Sequence, residues 1–546
     1  MNQSFKRTIV WLPLVIAATF VAGLIAGAIF FRINLSPGVQ DKIDNIMKYI
    51  ASDYVDAVDT DSLLEASIPD ILAKLDPHTT YIPAADLQAV NEELQGSFSG
   101  IGISFNMLTD TITVLEVISG GPSEKVGLMP GDRILTINDS IVAGKEWTTD
   151  RVMSALRGNK GTSVKLGIKR NNAPKLLDFT VVRGDIPVTS IDASYMIDSI
   201  TGYLKVNKFG RSTYDEFLTS LAGLRKHGAK AVILDLRGNG GGYMEIAILM
   251  ANEFLPAGKL IVSSHGRTVE SESATVSDGT GSFRDMQVSI LIDEFSASSS
   301  EIVAGALQDN DRALIIGRRS FGKGLVQRQI DLPDHSSIRL TTARYYTPSG
   351  RCIQKTYTPG AFDSYSMEIA TRYDHGEGFS SDSVSLDKSH TYLTEGGRKV
   401  YGGGGIMPDV YVPNDTTGLS TYYLNVFNAG LLHRYAFMFA DTHRTQFGNV
   451  SSVKSLLEQL PSDDSLLQDF VNYAYKTAKI APRWYYINIS RDLIVDQLKG
   501  LIARDIIGTS GYYEVMNNSD NTVQKALQEI KDGHAETPIT VTSIKD

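Results

Sequence analysis

The stretch VSILIDEFSASSSEIVAGALQD, residues 288–309, decides the fold at the centre of this chain. VSILID is an almost wholly apolar run of strand length, and EIVAGALQD has the pattern of a buried helix. A strand, a turn and a helix in this order lift a side chain to the edge of a sheet and direct backbone N–H groups at it. Ser298 in the turn is therefore a candidate nucleophile, although serine also favours helix caps.

Lys323 follows twenty-five positions later in RRSFGKGLVQ, residues 318–327. Its flanking glycines allow the backbone to approach closely, and Phe321, Leu325 and Val326 can shield its ammonium from water. Because burial lowers a lysine pKa toward neutrality, Lys323 is a candidate general base for a serine. A phosphate-binding P-loop is disfavoured, because the lysine is followed by glycine and not by Ser or Thr.

A second glycine-rich turn lies upstream in AVILDLRGNGGG, residues 231–242. The apolar run predicts a buried strand, and ligands of α/β sheets bind at the carboxyl ends of such strands. The backbone N–H groups of the glycine run fit one side of an oxyanion hole. A dinucleotide loop is disfavoured, because GNGGG lacks the GxGxxG spacing.

Other chemistries find little support in the composition. None of the nine histidines lies in a glycine-rich or strand-end position comparable to that of Lys323. For a Ser-His-Asp triad, His265 and His335 are the least implausible candidates. His78 is interpreted as capping a turn. The one cysteine, Cys352, is interpreted as a packing residue, and no metal-ligand spacing appears, so we expect neither metal nor cofactor. A net charge of -10 with scattered cations provides no footprint for nucleic acid.

The succession of helical and strand patterns along the chain predicts a multidomain protein of mixed α+β and α/β type. Residues 35–95 have a helical pattern, residues 96–183 alternate short strands with one helix from Thr148 to Leu156, and residues 184–415 alternate strands and helices around a mostly parallel sheet. Within the last region, the Gly-, Ser- and Asp-rich stretch 364–389 is interpreted as an exposed loop or an insertion. Residues 416–546 form a helical, aromatic-rich extension without a catalytic signature.

The N-terminus has the pattern of a membrane anchor. Residues 1–7 carry Lys6 and Arg7, and the uncharged stretch 8–31 is long enough to cross about 30 Å of hydrocarbon. Positive charge before the apolar run favours a cytoplasmic N-terminus and an exported body. A cleaved signal peptide is the alternative.

The ordered motifs DLRGNGGG, SASSSEIVAGALQD, FGKGLVQ, TPSGRCIQ and YGGGGIMPDV together resemble the carboxyl-terminal processing (tail-specific) protease family of serine peptidases with a Ser-Lys dyad. The resemblance covers residues 35–415. It implies that Ser298 is the nucleophile, Lys323 the base, and Gln327 the residue that orients the lysine. It further implies an oxyanion hole formed by the backbone N–H of Ser299 and that of Gly241 or Gly242. Ser299 stands where the family usually has alanine, and Cys352 where serine is common.

The β-rich region resembles a PDZ domain, whose sheet edge accepts a ligand strand while loop amides receive its terminal carboxylate. In GSFSGIGISF, residues 96–105, the loop is expected at Gly100, Ile101 and Gly102 and the groove strand from Ile103. The opposite wall of the groove is expected from the predicted helix, with Val152 and Leu156 suiting apolar termini. Arg157 is a candidate partner of the carboxylate or a link to the active site.

Together these resemblances imply a serine endopeptidase of the bacterial inner membrane, with its body in the periplasm or cell envelope, that cleaves or degrades proteins with apolar C-termini. The alternative is a catalytically silent PDZ scaffold that binds envelope proteins. A homo-oligomer and an adaptor partner are both compatible with the sequence. Gating by the PDZ domain and the role of residues 416–546 stay open.

Overall fold

The computed structural model describes residues 39–107, 111–118, 120–170, 173–384 and 391–536, together with Val21 and Gly23. The predicted cytoplasmic segment 1–7 and, apart from those two residues, the predicted anchor 8–31 lie outside the described residues. Within the described part of the chain, no helix is both long and apolar enough to cross a membrane.

Residues 1–75 and residues 76–546 form two compact units. The described elements of the first are α1 (Val39–Asp53) and α2 (Thr60–Leu72). Asp59 caps α2, because its carboxylate accepts the backbone N–H groups of Asp61 at 3.1 Å and Ser62 at 3.4 Å.

The predicted helical region 35–95 is divided between the two units. Its second part belongs to the larger unit and contains β1 (Thr80–Ile82) and α3 (Ala84–Gln95). The Asp76 carboxylate fixes the turn before β1 by accepting the N–H groups of His78 at 2.8 Å and Thr79 at 2.9 Å. The turn-rich sequence therefore leads into a strand, which pairs with a long strand of the α/β core.

The region 96–183 folds as a β-domain with its own core. Its elements are β2 (Ser97–Gly100), β3 (Ile103–Asn106), β4 (Ile112–Val117), α4 (Pro122–Lys125), β5 (Arg133–Ile137), β6 (Ser140–Ile141), α5 (Thr149–Leu156), β7 (Ser163–Lys169), β8 (Leu177–Val182) and β9 (Gly184–Pro187). The main sheet has the order β3-β4-β5-β7-β8, with β6 paired to β5, while β2 pairs with β9. The strand β3 is therefore an edge strand of this sheet.

The α/β core is built on a six-stranded sheet of order β10-β11-β12-β15-β16-β21. Its strands are β10 (Ile191–Met196), β11 (Thr201–Val206), β12 (Ala231–Asp235), β15 (Gln287–Ile292), β16 (Leu314–Gly317) and β21 (Val410–Tyr411). Only the β10–β11 pair is antiparallel, so the predicted mostly parallel sheet is confirmed. One face is covered by α6 (Thr213–Lys226), α7 (Met244–Asn252) and α8 (Ser299–Asp309), and α8 is buried along its whole length.

A second, antiparallel sheet was not expected from the sequence. It has the order β1-β18-β13-β14, and β17 also pairs with β18. Its further strands are β13 (Leu260–Gly266), β14 (Ser273–Val276), β17 (Leu325–Asp331) and β18 (Ser337–Tyr346). A separate two-stranded ladder joins β19 (Thr391–Leu393) to β20 (Lys399–Tyr401). Gln327 lies on β17 of this second sheet, and both β17 and β1 pair with β18.

The interpretation of residues 364–389 as an exposed loop is wrong for most of the described part. The chain there forms α9 (Phe362–Ser366) and α10 (Glu368–Asp374), and Tyr365, Arg372 and Glu377 are buried. The polar residues are tolerated inside because they are paired, as in the contact of the Arg319 guanidinium with the Glu377 carboxylate at 2.6 Å.

The C-terminal extension is helical, as predicted. Its helices are α11 (Thr421–Asn428), α12 (Leu431–Thr442), α13 (Val453–Leu457), α14 (Asp463–Ala478), α15 (Trp484–Ile489), α16 (Arg491–Ile507), α17 (Thr509–Met516) and α18 (Asn521–Lys531). The first seven enclose an apolar core of their own. The last helix instead covers the second face of the parallel sheet, where Val523, Leu527 and Ile530 pack with Ile233 and Leu291. The extension thus completes the layers that a parallel sheet requires.

Placing a charge in this layer should unfold the core. We expect Val523→Asp to lower the free energy of unfolding by about 3 kcal/mol or more. Val523 is fully buried, so the new carboxylate would lie among apolar side chains without a partner. Gln524→Glu adds a carboxylate on the exposed side of the same helix and removes one hydrogen bond, from the Gln524 amide to the Asn517 carbonyl, so it should lower the free energy of unfolding by no more than about 1 kcal/mol. Urea unfolding curves of both variants measure the difference, and equal effects would contradict the packing of α18.

Candidate active site

Ser298 lies where β15 ends and α8 begins. Its backbone has φ +56° and ψ −111°, a conformation rarely adopted by a residue other than glycine. Its carbonyl accepts the N–H of Ile302 at 2.9 Å and the hydroxyl of the buried Tyr345 at 3.1 Å. Hydrogen bonds from α8 and from β18 therefore stabilise the strained turn. The arrangement of strand, turn and helix is the one expected from the sequence.

The turn of Ser298 and the glycine-rich loop after β12 form one hydrogen-bonded body. The carboxylate of Asp293 accepts the N–H of Gly238 at 2.9 Å and that of Ser296 at 3.1 Å. The carbonyl of Asn239 accepts the N–H of Ala297 at 3.0 Å and the hydroxyl of Ser300 at 2.8 Å. Two segments more than fifty residues apart thus meet at the carboxyl end of the parallel sheet.

The candidate oxyanion donors lie at this junction. Gly241 has φ +103°, and a Cβ there would come within 2.8 Å of the Ser298 Cβ, so only glycine fits. Its own N–H donates to Asn239 Oδ1 at 2.9 Å, which leaves Gly242 as the better candidate of the two. The hydroxyl of Ser299 donates to the Gly242 carbonyl at 3.0 Å and ties that residue to the N-terminus of α8.

Lys323 lies before β17, and its ammonium is partly buried. Its Nζ donates to Gln327 Oε1 at 2.9 Å, and Gln327 Nε2 donates to the carbonyl of His78. The register of β17 on β18 shifts between Val326 and Gln327. Burial, reinforced by the charge of Arg339, lowers the pKa of Lys323. Within the described structure, Nζ and the Ser298 hydroxyl form no direct hydrogen bond.

Glu301 joins the two turns, and we did not identify it from the sequence. Its Oε2 accepts the backbone N–H of Ser298 at 2.9 Å and that of Lys323 at 2.9 Å, so these two nitrogens lie no further apart than the sum of both bonds. Its Oε1 accepts the N–H of Gly322 at 2.7 Å and the hydroxyl of Ser320. All four partners can donate, so the fully buried carboxylate accepts four hydrogen bonds, while burial raises the pKa of Glu301. Its position three residues after Ser298 is that of a capping box, a signal the sequence did contain.

The interpretation of His78 as a turn cap is wrong, because the carboxylate of Asp76 caps this turn. The Nε2 atom of His78 lies 2.7 Å from the Tyr365 hydroxyl, and the imidazole ring contacts Phe321 edge-on. Burial, followed by the charge of Lys323, lowers the pKa of His78 to about 4, so the ring is neutral near pH 7. By contrast, His265 is exposed on β13, where it pairs with Glu272, and His335 lies in a turn.

The segment of α9 and α10 contacts the loop that contains Lys323. The guanidinium of Arg372 donates to the carbonyls of Ser320 at 2.8 Å and Phe321 at 3.1 Å. Lys355 lies over the rings of Phe321 and Tyr365, at 4.0 and 4.2 Å from their centres. Among the described residues, no group of three or more His, Cys, Asp or Glu side chains is arranged to hold a metal ion.

The residues predicted for peptide binding surround the edge strand β3 of the β-domain. Gly100 ends β2, Gly102 has φ +77°, and Ile103 begins β3. Val152 and Leu156 on α5 are buried in the same apolar cluster as Ile101. Arg157 lies with its guanidinium 4.6 Å from the centre of the Phe98 ring. The structure brings loop, edge strand and helix into one domain, and their binding roles stay predictions.

Family models match three parts of the chain. Residues 200–360 match peptidase family S41, and residues 99–181 match the PDZ domain. Residues 422–508 match a family of unknown function, DUF8443. The first two matches fall on the α/β core and on the β-domain, so the PDZ domain and the protease core predicted from the sequence are confirmed.

Relatives of known description agree with these matches. A probable CtpA-like serine protease of Staphylococcus aureus is 35% identical over 315 residues, which are 57% of this chain and 62% of the relative, so the chain spans less than two thirds of that protein. A carboxy-terminal-processing protease of Bartonella bacilliformis is 36% identical over 318 residues, 57% of this chain and 72% of the relative. The solved photosystem II D1 C-terminal processing protease is 26% identical with a TM-score of 0.32, covering 56% of this chain and 88% of that one. The identity and coverage of the Bartonella relative confirm the predicted resemblance: this chain belongs to the carboxy-terminal-processing protease family.

Proposed function

We propose that this protein is a serine endopeptidase that binds apolar C-termini of exported proteins and cleaves or degrades those proteins with a Ser298–Lys323 dyad. The observation that carries the proposal is the shared carboxylate of Glu301, which fixes the backbone of both residues in one site. The partly buried amine with a lowered pKa supports the role of Lys323 as base.

In the proposed reaction, neutral Lys323 takes the proton of the Ser298 hydroxyl while the oxygen attacks the scissile carbonyl. Gln327 orients the amine, which must leave this partner or share it when the substrate is bound. The backbone N–H groups of Ser299 and Gly242 stabilise the oxyanion. The tetrahedral intermediate collapses as Lys323 returns the proton to the leaving amine, and water then resolves the acyl-enzyme with Lys323 again as base.

Substrate recognition is proposed for the PDZ domain. A C-terminal segment would extend the sheet at β3, with its carboxylate on the amides near Gly100, Ile101 and Gly102. Val152 and Leu156 would have to admit an apolar terminal side chain into their cluster, and Arg157 would assist the carboxylate. We further propose a single-pass anchor at residues 8–31 in a bacterial inner membrane and a body in the periplasm or cell envelope. A homo-oligomer or an adaptor partner stays a prediction.

A serine-reactive phosphonate probe tests the enzyme against the silent scaffold. We expect the full chain to be labelled once, at Ser298, and to cleave a peptide with a free apolar C-terminus at least about tenfold more efficiently than the same peptide amidated, because the amide loses the terminal charge. Mass spectrometry locates the label, with Ser298→Ala as the blank. Binding of the peptide without labelling or cleavage would favour the scaffold.

A further inference from the structure

Two stretches of the C-terminal extension contain no acidic residue. They are residues 416–440 and residues 470–491, in a chain with 62 acidic residues among 546. At that frequency each stretch would contain about two or three. The helices that they form, α11 and α15, pack against each other, so the two stretches share one part of the surface.

This surface exposes aromatic rings beside cations. Tyr475 is 51% exposed, Trp484 41% and Tyr485 74%, although such rings are usually covered. Three exposed cations accompany them along the chain, and we name the six residues the aromatic–basic face: Tyr475, Lys476, Lys479, Arg483, Trp484 and Tyr485. None of the three cations forms an ion pair with another residue of the described ranges. The neighbouring α11 adds exposed Leu424 and Phe427.

We propose that the aromatic–basic face binds the surface of a membrane that contains anionic lipids. Tryptophan and tyrosine rings are favoured at the level of the lipid headgroups, because one part of each ring system is apolar and another forms hydrogen bonds. Lysines and arginines beside them are attracted by anionic headgroups, and neither stretch contains a carboxylate that would oppose this attraction. At the end of the second stretch, Arg491 donates to the carboxylate of Asp464, which lies outside both stretches. A symmetric contact between two copies would instead bring like charges together. The proposal does not depend on the predicted anchor, which would only keep this face near a bilayer.

Tryptophan fluorescence tests the proposal in the full chain, which has three tryptophans: Trp11, Trp147 and Trp484. In the variant Trp11→Phe/Trp147→Phe, Trp484 is the sole reporter. Reconstituted in vesicles with a quencher near the headgroups, it should be quenched severalfold more with phosphatidylglycerol present than in phosphatidylcholine alone. High salt should remove most of the difference, since it screens the charges. Equal or absent quenching in the two lipids would overturn the proposal.

Two matched variants make the test specific. Trp11→Phe/Trp484→Phe leaves Trp147, over which Arg151 stacks at 4.2 Å, and it should show no lipid-dependent quenching; if it does, crowding at the bilayer explains the signal and the proposal fails. Lys476→Gln/Lys479→Gln/Arg483→Gln in the Trp484 reporter should lose the phosphatidylglycerol-dependent part while keeping peptide cleavage and the unfolding midpoint. If Trp484 stays unquenched and these three cations instead bind polyglutamate, the face serves an acidic protein and the membrane proposal is wrong.

Discussion

Lys323→Ala is expected to lower kcat/KM for a peptide with an apolar C-terminus by about 10³-fold or more. The variant removes the proposed base, and the Nε2 atom of His78 is engaged with the Tyr365 hydroxyl and is not free to replace it. The free energy of unfolding should change little or rise, because a partly buried ammonium is replaced by a methyl group. Initial rates of peptide cleavage and a thermal unfolding curve measure both quantities.

Ser299→Ala is the matched control, because it changes the neighbouring serine and leaves the amide that the mechanism uses. Its hydroxyl donates one hydrogen bond, to the Gly242 carbonyl, so we expect less than about a tenfold loss. Ser298→Ala should be as inactive as Lys323→Ala. Near-native turnover of Lys323→Ala beside an inactive Ser298→Ala would mean that another group is the base.

Local patterns predicted those parts of the fold whose hydrophobic period is regular. The helix predicted from Thr148 to Leu156 begins one residue later, because Thr148 is its cap. The strands of the parallel sheet are apolar on both faces and therefore stand out in the sequence. The antiparallel sheet was missed, because its strands are short or half-exposed and their pairing depends on contacts far apart in the chain.

Of the candidate site, the sequence indicated only the residues that lie in contiguous motifs. Ser298 and Lys323 lie in glycine- and serine-rich turns, which are visible as local patterns. His78 and Arg372 contact the same loop from segments far from it in the sequence, and only the folded chain brings them there. The last helix of the extension has an ordinary amphipathic pattern, and nothing in it indicates that the sheet it covers is that of the protease core.

Glu301→Gln is expected to lower kcat by about 10²-fold with little change in KM, because peptide binding is proposed for a separate domain. Glutamine retains one acceptor oxygen, so two of the four donors around residue 301 would face an NH₂ group instead. Ser298 and Lys323 donate to the same oxygen, so both lose their anchor where the NH₂ group takes that position, and Gly322 and Ser320 lose theirs where it takes the other. Glu301→Ala, which removes both oxygens, should be at least as impaired.

The pH profile distinguishes this role from a general loss of structure. The proposed mechanism requires neutral Lys323, so kcat/KM should rise with pH through the lysine pKa. Burial and the charge of Arg339 lower that pKa, while the charge of Glu301 raises it. Glu301→Gln should therefore move the acidic limb of the profile to lower pH, whereas Arg339→Gln should move it to higher pH. A general loss of structure would reduce the rate without changing the pH at which the acidic limb of the profile lies. Shifts of the same sign in the two variants would show that the titrating group is not an amine between these two charges.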